Sequence, residues 1–410
     1  MITNKDHPKS AKVRNKFYET DLEEDIGLIR CLMKSIGLWY SKTENSPREK
    51  FMSIISIMAY TLLHVVVLVP FFIEIVFMEK DFRKQVENAS PLIGSFIGEI
   101  KYLCILYYKK DVCNYIDSMS EDWRKARMKP DREFMLQSTK FGQKLTRPCM
   151  ISMYTGCVGY VFINPVLSGD LLSRNDTSRT LAFPCYYHVF DVHRSPNFEI
   201  MYITQIVFVV TSATCFIVAC ALTVKFTFHI CAQCRIVRSL FEDVIDGDQQ
   251  QDLSFDERWS YAIKAHLRVL RFVNDAVSVL KGVCLTELLG CSVVTCLIGL
   301  TAIWHLQEKN NGDCLMVMII FTAFVLNLFI YCFISEQLTH QYAMIGETLY
   351  DIQWYRLPPK KASEIVIILA ICNIPVHLTA GKISELSISV FCDVFKATMV
   401  YLNVLRELML

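Results

Sequence analysis

The stretch FEIMYITQIVFVVTSATCFIVACALTV, residues 198–224, decides the fold. Its 27 residues include a single charged side chain, Glu199, and the run ends at Lys225. About 20 mostly apolar residues are enough for a helix to cross the hydrocarbon core of a bilayer. The stretch therefore predicts a membrane-spanning helix.

Six further apolar runs of similar length occur along the chain. They are residues 51–77, 89–108, 149–167, 283–304, 314–334 and 387–405. The run 89–108 is interrupted by Glu99 and Lys101, and the last run is the least apolar. The whole chain is 53% hydrophobic and only 20% charged, which is more apolar than a soluble domain. The predicted fold class is an all-α membrane protein with a seven-transmembrane helix bundle.

Lysine and arginine are distributed unevenly between the loops. Of 42 such residues, 32 lie in the N-terminal arm and in the loops 109–148, 225–282 and 335–383, against eight on the opposite side. Cytosolic loops are enriched in these residues, so the N-terminus is predicted in the cytosol and, after seven crossings, the C-terminus outside. Two glycosylation patterns, at Asn88 and Asn175, fall in loops assigned outside. Asn175, in the middle of its loop, is the predicted glycosylation site.

A distinctive set of residues follows the sixth span. It comprises Tyr350, Trp354-Tyr355-Arg356-Leu357-Pro358-Pro359-Lys360-Lys361, Pro375, Leu378-Thr379-Ala380-Gly381-Lys382, Leu386, Phe391, Lys396-Ala397, Tyr401 and Leu405-Arg406. In order and spacing it resembles the C-terminal pattern of the insect odorant receptors, more narrowly those of ants, bees and wasps. Met399-Val400 departs from the pattern, because many members carry a small polar residue there.

This resemblance implies an odorant receptor that is a subunit of a ligand-gated, non-selective cation channel. It implies a heterotetramer with the odorant co-receptor, in the plasma membrane of a sensory neuron dendrite. The implied ligand is a small volatile or cuticular apolar molecule. Two alternatives stay open: a G-protein-coupled-type chemoreceptor, which the predicted orientation opposes, and a gustatory receptor of the same superfamily, which usually ends in a Gln-Phe missing here.

The spans and the resemblance together divide the chain into four regions. Residues 1–50 form a polar cytosolic arm without an apolar core near Met1, so the first span is expected to serve as the targeting signal. Residues 51–334 form a six-helix transmembrane region with the ligand pocket. Residues 335–383 are too polar to span and form a cytosolic helical anchor region, and residues 384–410 form a pore-lining last helix.

Candidate ligand-binding residues come from the outer halves of spans two to five. Small ligands prefer concave, mostly apolar cavities with a few polar groups. The candidates are Phe96, Tyr154, Tyr160, Met201, Gln205, Phe208, Ile298 and Thr301. Packing between helices is the open alternative for each. Gln205 stands out, because a buried amide needs a partner from protein, water or ligand.

The last helix supplies the candidate pore and gate residues. A branched aliphatic stripe recurs every four residues, at Val400, Val404 and Leu408. Four copies around an axis would make a hydrophobic constriction that gates by dewetting, although such a stripe also serves plain packing. Asp393 and Lys396 lie three residues apart and would either form an ion pair or face the pore.

No catalytic or metal-binding pattern is present. The pair Cys231 and Cys234 has no second ligand pair, the histidines lack zinc-protease spacing, and no nucleotide-binding glycine pattern follows a strand. The net charge of +1 gives no field that would attract nucleic acid. We therefore expect neither an enzyme, a cofactor nor a metal site, and partners limited to co-receptor, ligand and lipid bilayer.

Overall fold

The structure is a computed structural model of the chain. It describes residues 15–39, 47–126, 129–163, 181–187, 192, 194–246, 254–309 and 311–409. The predicted glycosylation site at Asn175 and residues 164–167 of the predicted third span lie outside these ranges.

The described residues are almost entirely helical. The helices are α1 (Tyr18–Ser35), α2 (Pro47–Ile73), α3 (Phe82–Tyr107), α4 (Lys109–Lys125), α5 (Lys129–Val158), α6 (Asn197–Asp246), α7 (Phe255–Gln307), α8 (Asn311–Asp351), α9 (Pro359–Cys372) and α10 (Ile388–Met409). Wider π-helical turns, Glu74–Met78 and Gly159–Ile163, extend α2 and α5, and a 3-10 turn spans Trp354–Arg356. The strands β1 (Thr379–Ala380) and β2 (Ser384–Glu385) pair antiparallel.

Five of these helices are long and apolar enough to cross a membrane, namely α2 with its π-helical turn, α3, α6, α7 and α8. The two remaining predicted spans are also helical where they are described. Residues 149–163 belong to α5 and its π-helical turn, and residues 388–405 belong to α10. Each predicted span therefore coincides with a helix.

Three helices run far beyond the membrane. Helices α6, α7 and α8 contain 50, 53 and 41 residues. At about 1.5 Å per residue they are roughly 60 to 80 Å long, at least twice the hydrocarbon thickness of about 30 Å. Their remaining lengths form a cytosolic helical bundle with α1, α4 and α9. The predicted anchor region, residues 335–383, belongs to this bundle, where Trp259 of α7 donates to Glu364 of α9 at 2.6 Å.

Helix α6 lies in the middle of the bundle. It contacts α5 and α8 most extensively, and α3 and α7 as well. Its side chains from Cys215 to Leu222 are all buried, as are Phe226 and Phe241 further along. By contrast, α2 exposes a long row of apolar side chains, including Phe51, Met58 and Leu62. Such a face suits contact with lipid.

Buried charges hold the cytosolic half together. Asp25 of α1 pairs with Lys225 of α6, accepts from Trp123 Nε1 at 2.9 Å and is also bonded by Thr139. Asp122 of α4 accepts from Arg268 of α7 at 2.6 Å and lies 3.1 Å from His229 of α6, two further links between helices.

Asp21 of α1 supplies another link, to α5. Its two carboxylate oxygens accept from Arg132 at 2.7 Å and 2.8 Å. This bidentate contact holds the pKa of Asp21 below its ordinary value, because the guanidinium favours the charged carboxylate. Charge pairing therefore attaches α1 to the bundle at two points one helical turn apart.

Helix α10 packs on α7 through a glycine. A Cβ built on Gly299 of α7 would lie 2.7 Å from Leu402 Cδ1, so a larger residue there would require the Leu402 side chain to move. Leu402 is buried, whereas Val400 and Val404, on the opposite side of α10, are exposed. Asp393 and Lys396 pair at 3.8 Å and are mostly exposed. The backbone of Leu408 continues the helix, and its side chain is outside the described set.

Candidate ligand-binding cavity

A cavity of about 340 Å³ opens between the outer parts of five helices. Helix α3 contributes its first turns, α5 its last turns, α6 its fourth to sixth turns, α7 its end and α8 its first turns. The volume lies within the range typical of sites for small molecules. The cavity is therefore the candidate ligand-binding site.

Aromatic and aliphatic side chains make the inner wall of the cavity. They include Phe208 and Phe216 of α6, Ile298 of α7, and Phe324 and Ile320 of α8. Phe216 and Phe324 meet edge to face with ring centroids 5.7 Å apart. A Cβ on Gly156 of α5 would lie 3.2 Å from Ile320 Cγ1, so glycine lets α8 approach closely there. The inner wall favours an apolar ligand.

The outer end of the cavity is polar. Glu87 and Asn88 of α3, His305 of α7 and Asp313 of α8 line it. Glu87 accepts from Arg83 Nε at 2.9 Å, and Asn88 donates to the Lys84 carbonyl at 3.0 Å. Along α7, His305 and Ile298 are seven residues apart, which is about 10 Å of helix. Polarity thus changes from the outer end to the inner end over about two helical turns.

A short connecting segment, residues 181–187, closes one side of the cavity. Gln205 of α6 holds it: Oε1 accepts from the Phe183 N–H at 3.1 Å, and Nε2 donates to the Phe183 carbonyl at 2.9 Å. Pro70 has no backbone N–H, so it cannot donate to the carbonyl of Val66 one turn earlier in α2. That carbonyl instead accepts from the Tyr187 hydroxyl at 3.0 Å. Two helices therefore fix the segment, α6 through the side-chain amide of Gln205 and α2 through the backbone carbonyl of Val66.

The Phe183 ring is the part of this segment that lines the cavity. It stacks on Tyr160 at a centroid distance of 5.2 Å and lies edge-on to Phe208 at 6.0 Å. It also contacts Phe71 of α2 at 5.2 Å. These distances are those of favourable aromatic pairs. An aromatic cluster thus positions the cavity wall.

A buried ion pair lies below the cavity, toward the cytosol. Lys101 of α3 pairs with Glu287 of α7, and both side chains are fully buried. The Lys101 Nζ lies 4.1 Å from the centre of the Phe216 ring, whose other side belongs to the cavity. Asn327 of α8 and Cys291 each donate to Glu287 at 2.7 Å. Buried charges at membrane depth require such partners.

A second polar cluster surrounds Glu99, beside the cavity. Glu99 of α3 pairs with His64 of α2, and His64 Nε2 lies 3.0 Å from the Thr211 hydroxyl of α6. The His64 ring stacks on Tyr60 at 4.0 Å and contacts Phe208 at 4.8 Å. Glu99 therefore faces the protein and links α3 to α2 and α6.

The structure brings four of the eight predicted ligand-binding residues to the cavity: Tyr160, Phe208, Ile298 and Thr301. The other four have different contacts. Gln205 satisfies its amide on the segment 181–187, and the Tyr154 hydroxyl lies 2.9 Å from that of Thr214. Met201 is buried, and Phe96 is exposed on α3 against Phe72.

Two contributors to the cavity have no counterpart among the predicted residues. Helix α8 provides Met316, Val317, Ile320, Ala323 and Phe324, and the connecting segment provides Phe183. The short polar link between the fifth and sixth spans was a usable signal, because a short link makes the two helices antiparallel neighbours. No comparable signal marks Phe183, whose position depends on contacts distant in sequence.

A bundle of membrane-length helices with a cavity of small-molecule size defines the general class as a multi-pass membrane protein with a candidate ligand site. The family model described as 7tm Odorant receptor matches residues 81–399, most of the chain. The chain belongs to this odorant receptor family.

The curated relatives are distant in sequence. Odorant receptor 10 of Aedes albopictus is 19% identical over 230 residues, covering 56% of this chain and 60% of that protein. Odorant receptor 2a of Drosophila melanogaster is 23% identical over 131 residues, covering 32% of this chain and 33% of that protein. The matches thus span between one third and three fifths of the relatives' lengths.

The fold is shared with a solved insect receptor over nearly its whole length. The olfactory receptor OR5 of Machilis hrabei, in complex with eugenol, aligns with a TM-score of 0.82 and 14% identity, covering 96% of this chain and all of that one. A second structure of the same receptor aligns with a TM-score of 0.78 and 15% identity, covering 95% of this chain and 99% of that one. The predicted family and the predicted all-α, seven-helix fold class are confirmed, and the chain is a multi-pass membrane protein.

Proposed function

We propose that this odorant receptor is a ligand-binding subunit of an odorant-gated, non-selective cation channel that works with the odorant co-receptor. Its ligand is a small, largely apolar molecule that binds in the outer cavity. The proposed location is the plasma membrane of a sensory neuron dendrite. The eugenol complex of the Machilis hrabei receptor, which shares the fold, supports binding of a small organic molecule.

The contact between α7 and α10 is the observation that carries the proposal. A single turn of α7 lines the cavity through Ile298 and Thr301 and receives Leu402 of α10 at Gly299. In the proposed mechanism a ligand displaces this turn and thereby moves the contact on which α10 rests. The path from the cavity to the last helix is then a single turn of α7.

The exposed face of α10 is the proposed pore lining. Val400 and Val404 point away from the bundle, as a gate residue in a tetramer must, and we place Leu408 on the same stripe by its spacing. Asp393 and Lys396, exposed and paired, would meet water in the cytosolic part of the pore.

Apolar side chains exposed on the cytosolic bundle support assembly with other subunits. Tyr350 and Tyr355 flank the turn after α8, and Val366 and Ile367 project from α9, followed by Ile374. All five are well exposed although the surrounding region lies outside the apolar spans. Clusters of this kind mark protein–protein contacts. The co-receptor is the proposed partner.

Filling the cavity tests the proposal. Val209 and Val210 are neighbours on α6, but Val209 lines the cavity and is 8% exposed, whereas Val210 faces outward and is 43% exposed. In cells that express the chain with the co-receptor, Val209→Phe should remove odorant-evoked cation current. Val210→Phe adds the same volume outside the cavity and should leave the current unchanged.

Surface labelling in the same cells shows whether each variant reaches the membrane. A Val209→Phe receptor that is present at the surface and responds normally would contradict odorant binding in this cavity. A current that requires G-protein activity would instead favour the G-protein-coupled alternative.

A further inference from the structure

One hydroxyl in the cavity wall differs from the others. Among the residues that the structure describes, five serine and threonine hydroxyls line the cavity: Ser90, Ser95, Ser152, Ser212 and Thr301. Four of them donate to a carbonyl of their own helix, at 3.4 Å for Ser90, 2.8 Å for Ser95, 3.0 Å for Ser152 and 2.8 Å for Thr301. The Ser212 Oγ is buried and has no hydrogen-bond partner among the described residues.

The neighbouring residue explains why Ser212 differs. A serine within a helix usually bonds the carbonyl four residues earlier, here that of Phe208. The Thr211 hydroxyl, which also contacts His64, lies 2.9 Å from that carbonyl and 2.9 Å from the Val207 carbonyl. Ser212 therefore shares its usual acceptor with a neighbouring hydroxyl, and in this structure it does not bond that acceptor. Because Ser212 lines the cavity, rotation about its Cα–Cβ bond turns the hydroxyl toward a group inside the cavity.

The apolar surroundings of Ser212 allow its hydroxyl to distinguish ligands that can accept a hydrogen bond from those that cannot. It lies one helical turn from Phe208 and one turn from Phe216, and both rings belong to the inner, apolar wall. A lone polar group within an apolar cavity orients a ligand, because a buried hydroxyl left unpaired is unfavourable. A site built to hydrogen-bond one substrate group discriminates against the analogue that lacks it.

We propose that Ser212 is a specificity-determining residue that donates a hydrogen bond to an oxygen of the ligand. The preferred ligand class is then an oxygenated molecule with an apolar body, such as a ketone, ester, ether or alcohol, over the hydrocarbon of the same skeleton. This inference rests on the proposed function, since it requires that the odorant binds in the cavity.

Matched probe pairs test the inference. Butyrophenone and butylbenzene share a skeleton and differ by one carbonyl oxygen, as do 2-nonanone and nonane. In cells expressing the full chain with the co-receptor, Ser212→Ala should raise the half-maximal ketone concentration about threefold to tenfold, the effect of one hydrogen bond. The half-maximal concentration of the hydrocarbon should shift by less than about twofold, since it has no bond to lose.

Ser95→Ala is the matched control, because its hydroxyl lines the same cavity but already donates to the Pro91 carbonyl. It should change both members of a pair by the same factor. A Ser212→Ala receptor that shifts both members equally, or neither, overturns the inference. If Val209→Phe also leaves both responses intact, the cavity is not the odorant site and the proposed function fails with it.

A measurement without ligand tests the premise independently of which probes activate the receptor. In the purified full chain, Ser212→Ala should have a Tm equal to or above that of the unmodified protein, because it removes a buried hydroxyl without a partner. Ser95→Ala gains the same helix propensity but loses a bonded hydroxyl, so its Tm should be lower than that of Ser212→Ala. A Tm for Ser212→Ala as low as that for Ser95→Ala would overturn the inference, because Ser212 would then have a partner already.

Discussion

The outer and cytosolic halves of the bundle differ in their internal space and in their buried charge pairs. The outer half encloses about 340 Å³ and leaves the Ser212 hydroxyl without a partner among the described residues. The cytosolic half closes to a gap of about 10 Å³ beside Asp25 and Lys225, room for at most one water. There, carboxylates such as Asp25 and Asp122 each have two or more partners.

This difference separates recognition from assembly. Space and unsatisfied hydrogen-bonding capacity allow a ligand to bind, at some cost to stability. Buried charge pairs and close packing favour one arrangement of the helices, since a buried charge tolerates little displacement from its partner. The same helices, α6 and α7, contribute to both halves.

The largest expected effect is on the cytosolic half. Asp25→Ala leaves Lys225 buried without its carboxylate, and breaking a buried pair in this way costs about 3 to 5 kcal/mol. We expect little receptor at the cell surface and a lower Tm. Glu23→Gln breaks the more exposed pair with Arg30 and should lower the free energy of unfolding by less than about 1 kcal/mol. Equal losses for the two variants would contradict the comparison.

A smaller effect is expected at the boundary between the halves. Lys101→Met leaves Glu287 charged and fully buried, with Asn327 and Cys291 as its remaining donors. The free energy of unfolding should fall by about 3 kcal/mol, the lower end of the range for a broken buried ion pair. The double variant Lys101→Met with Glu287→Leu removes both charges and should recover most of the Tm and the surface level. A double variant no better than the single one would show that the pair itself is not what stabilises this region.

The smallest effect on stability is expected at the exposed face of α10. Val404→Ala should change the free energy of unfolding by less than about 0.5 kcal/mol, because Val404 is 48% exposed. It should nevertheless alter ion permeation or the open probability in whole-cell recordings. Leu402→Ala, at a residue 7% exposed against Gly299, should instead reduce the surface level. Unaltered currents from Val404→Ala would remove this residue from the gate.

The transmembrane part of the fold could be predicted from the sequence because the bilayer imposes a simple rule. The run 198–224 lies inside α6, and the runs 283–304 and 314–334 lie inside α7 and α8. The ends of these helices could not be predicted to the same accuracy. Their cytosolic extensions mix polar and apolar residues as soluble helices do, so no single length or composition marks where they stop.

The candidate site was only half predictable, for a different reason. Phe208 and Ile298 could be predicted because their helical spacing and their depth in the membrane place them where the helices surround the cavity. Gln205 has the same spacing, but its amide bonds the backbone of Phe183, 22 residues away. Such a pairing leaves no periodic pattern. Ser212 is distinguished only by the hydrogen bonds of its neighbours, which composition does not reveal.

The length of α7 has a consequence for how the receptor responds. One uninterrupted rod of 53 residues connects the cavity wall at Ile298 with the buried Trp259 near its cytosolic start. The two sites are 39 residues apart, or about 60 Å along the axis. A stiff lever of that length converts a tilt of about 2° at one end into a shift of about 2 Å at the other. We therefore expect substitutions that loosen the packing around Trp259 to change the sensitivity to odorants although they lie far from the cavity.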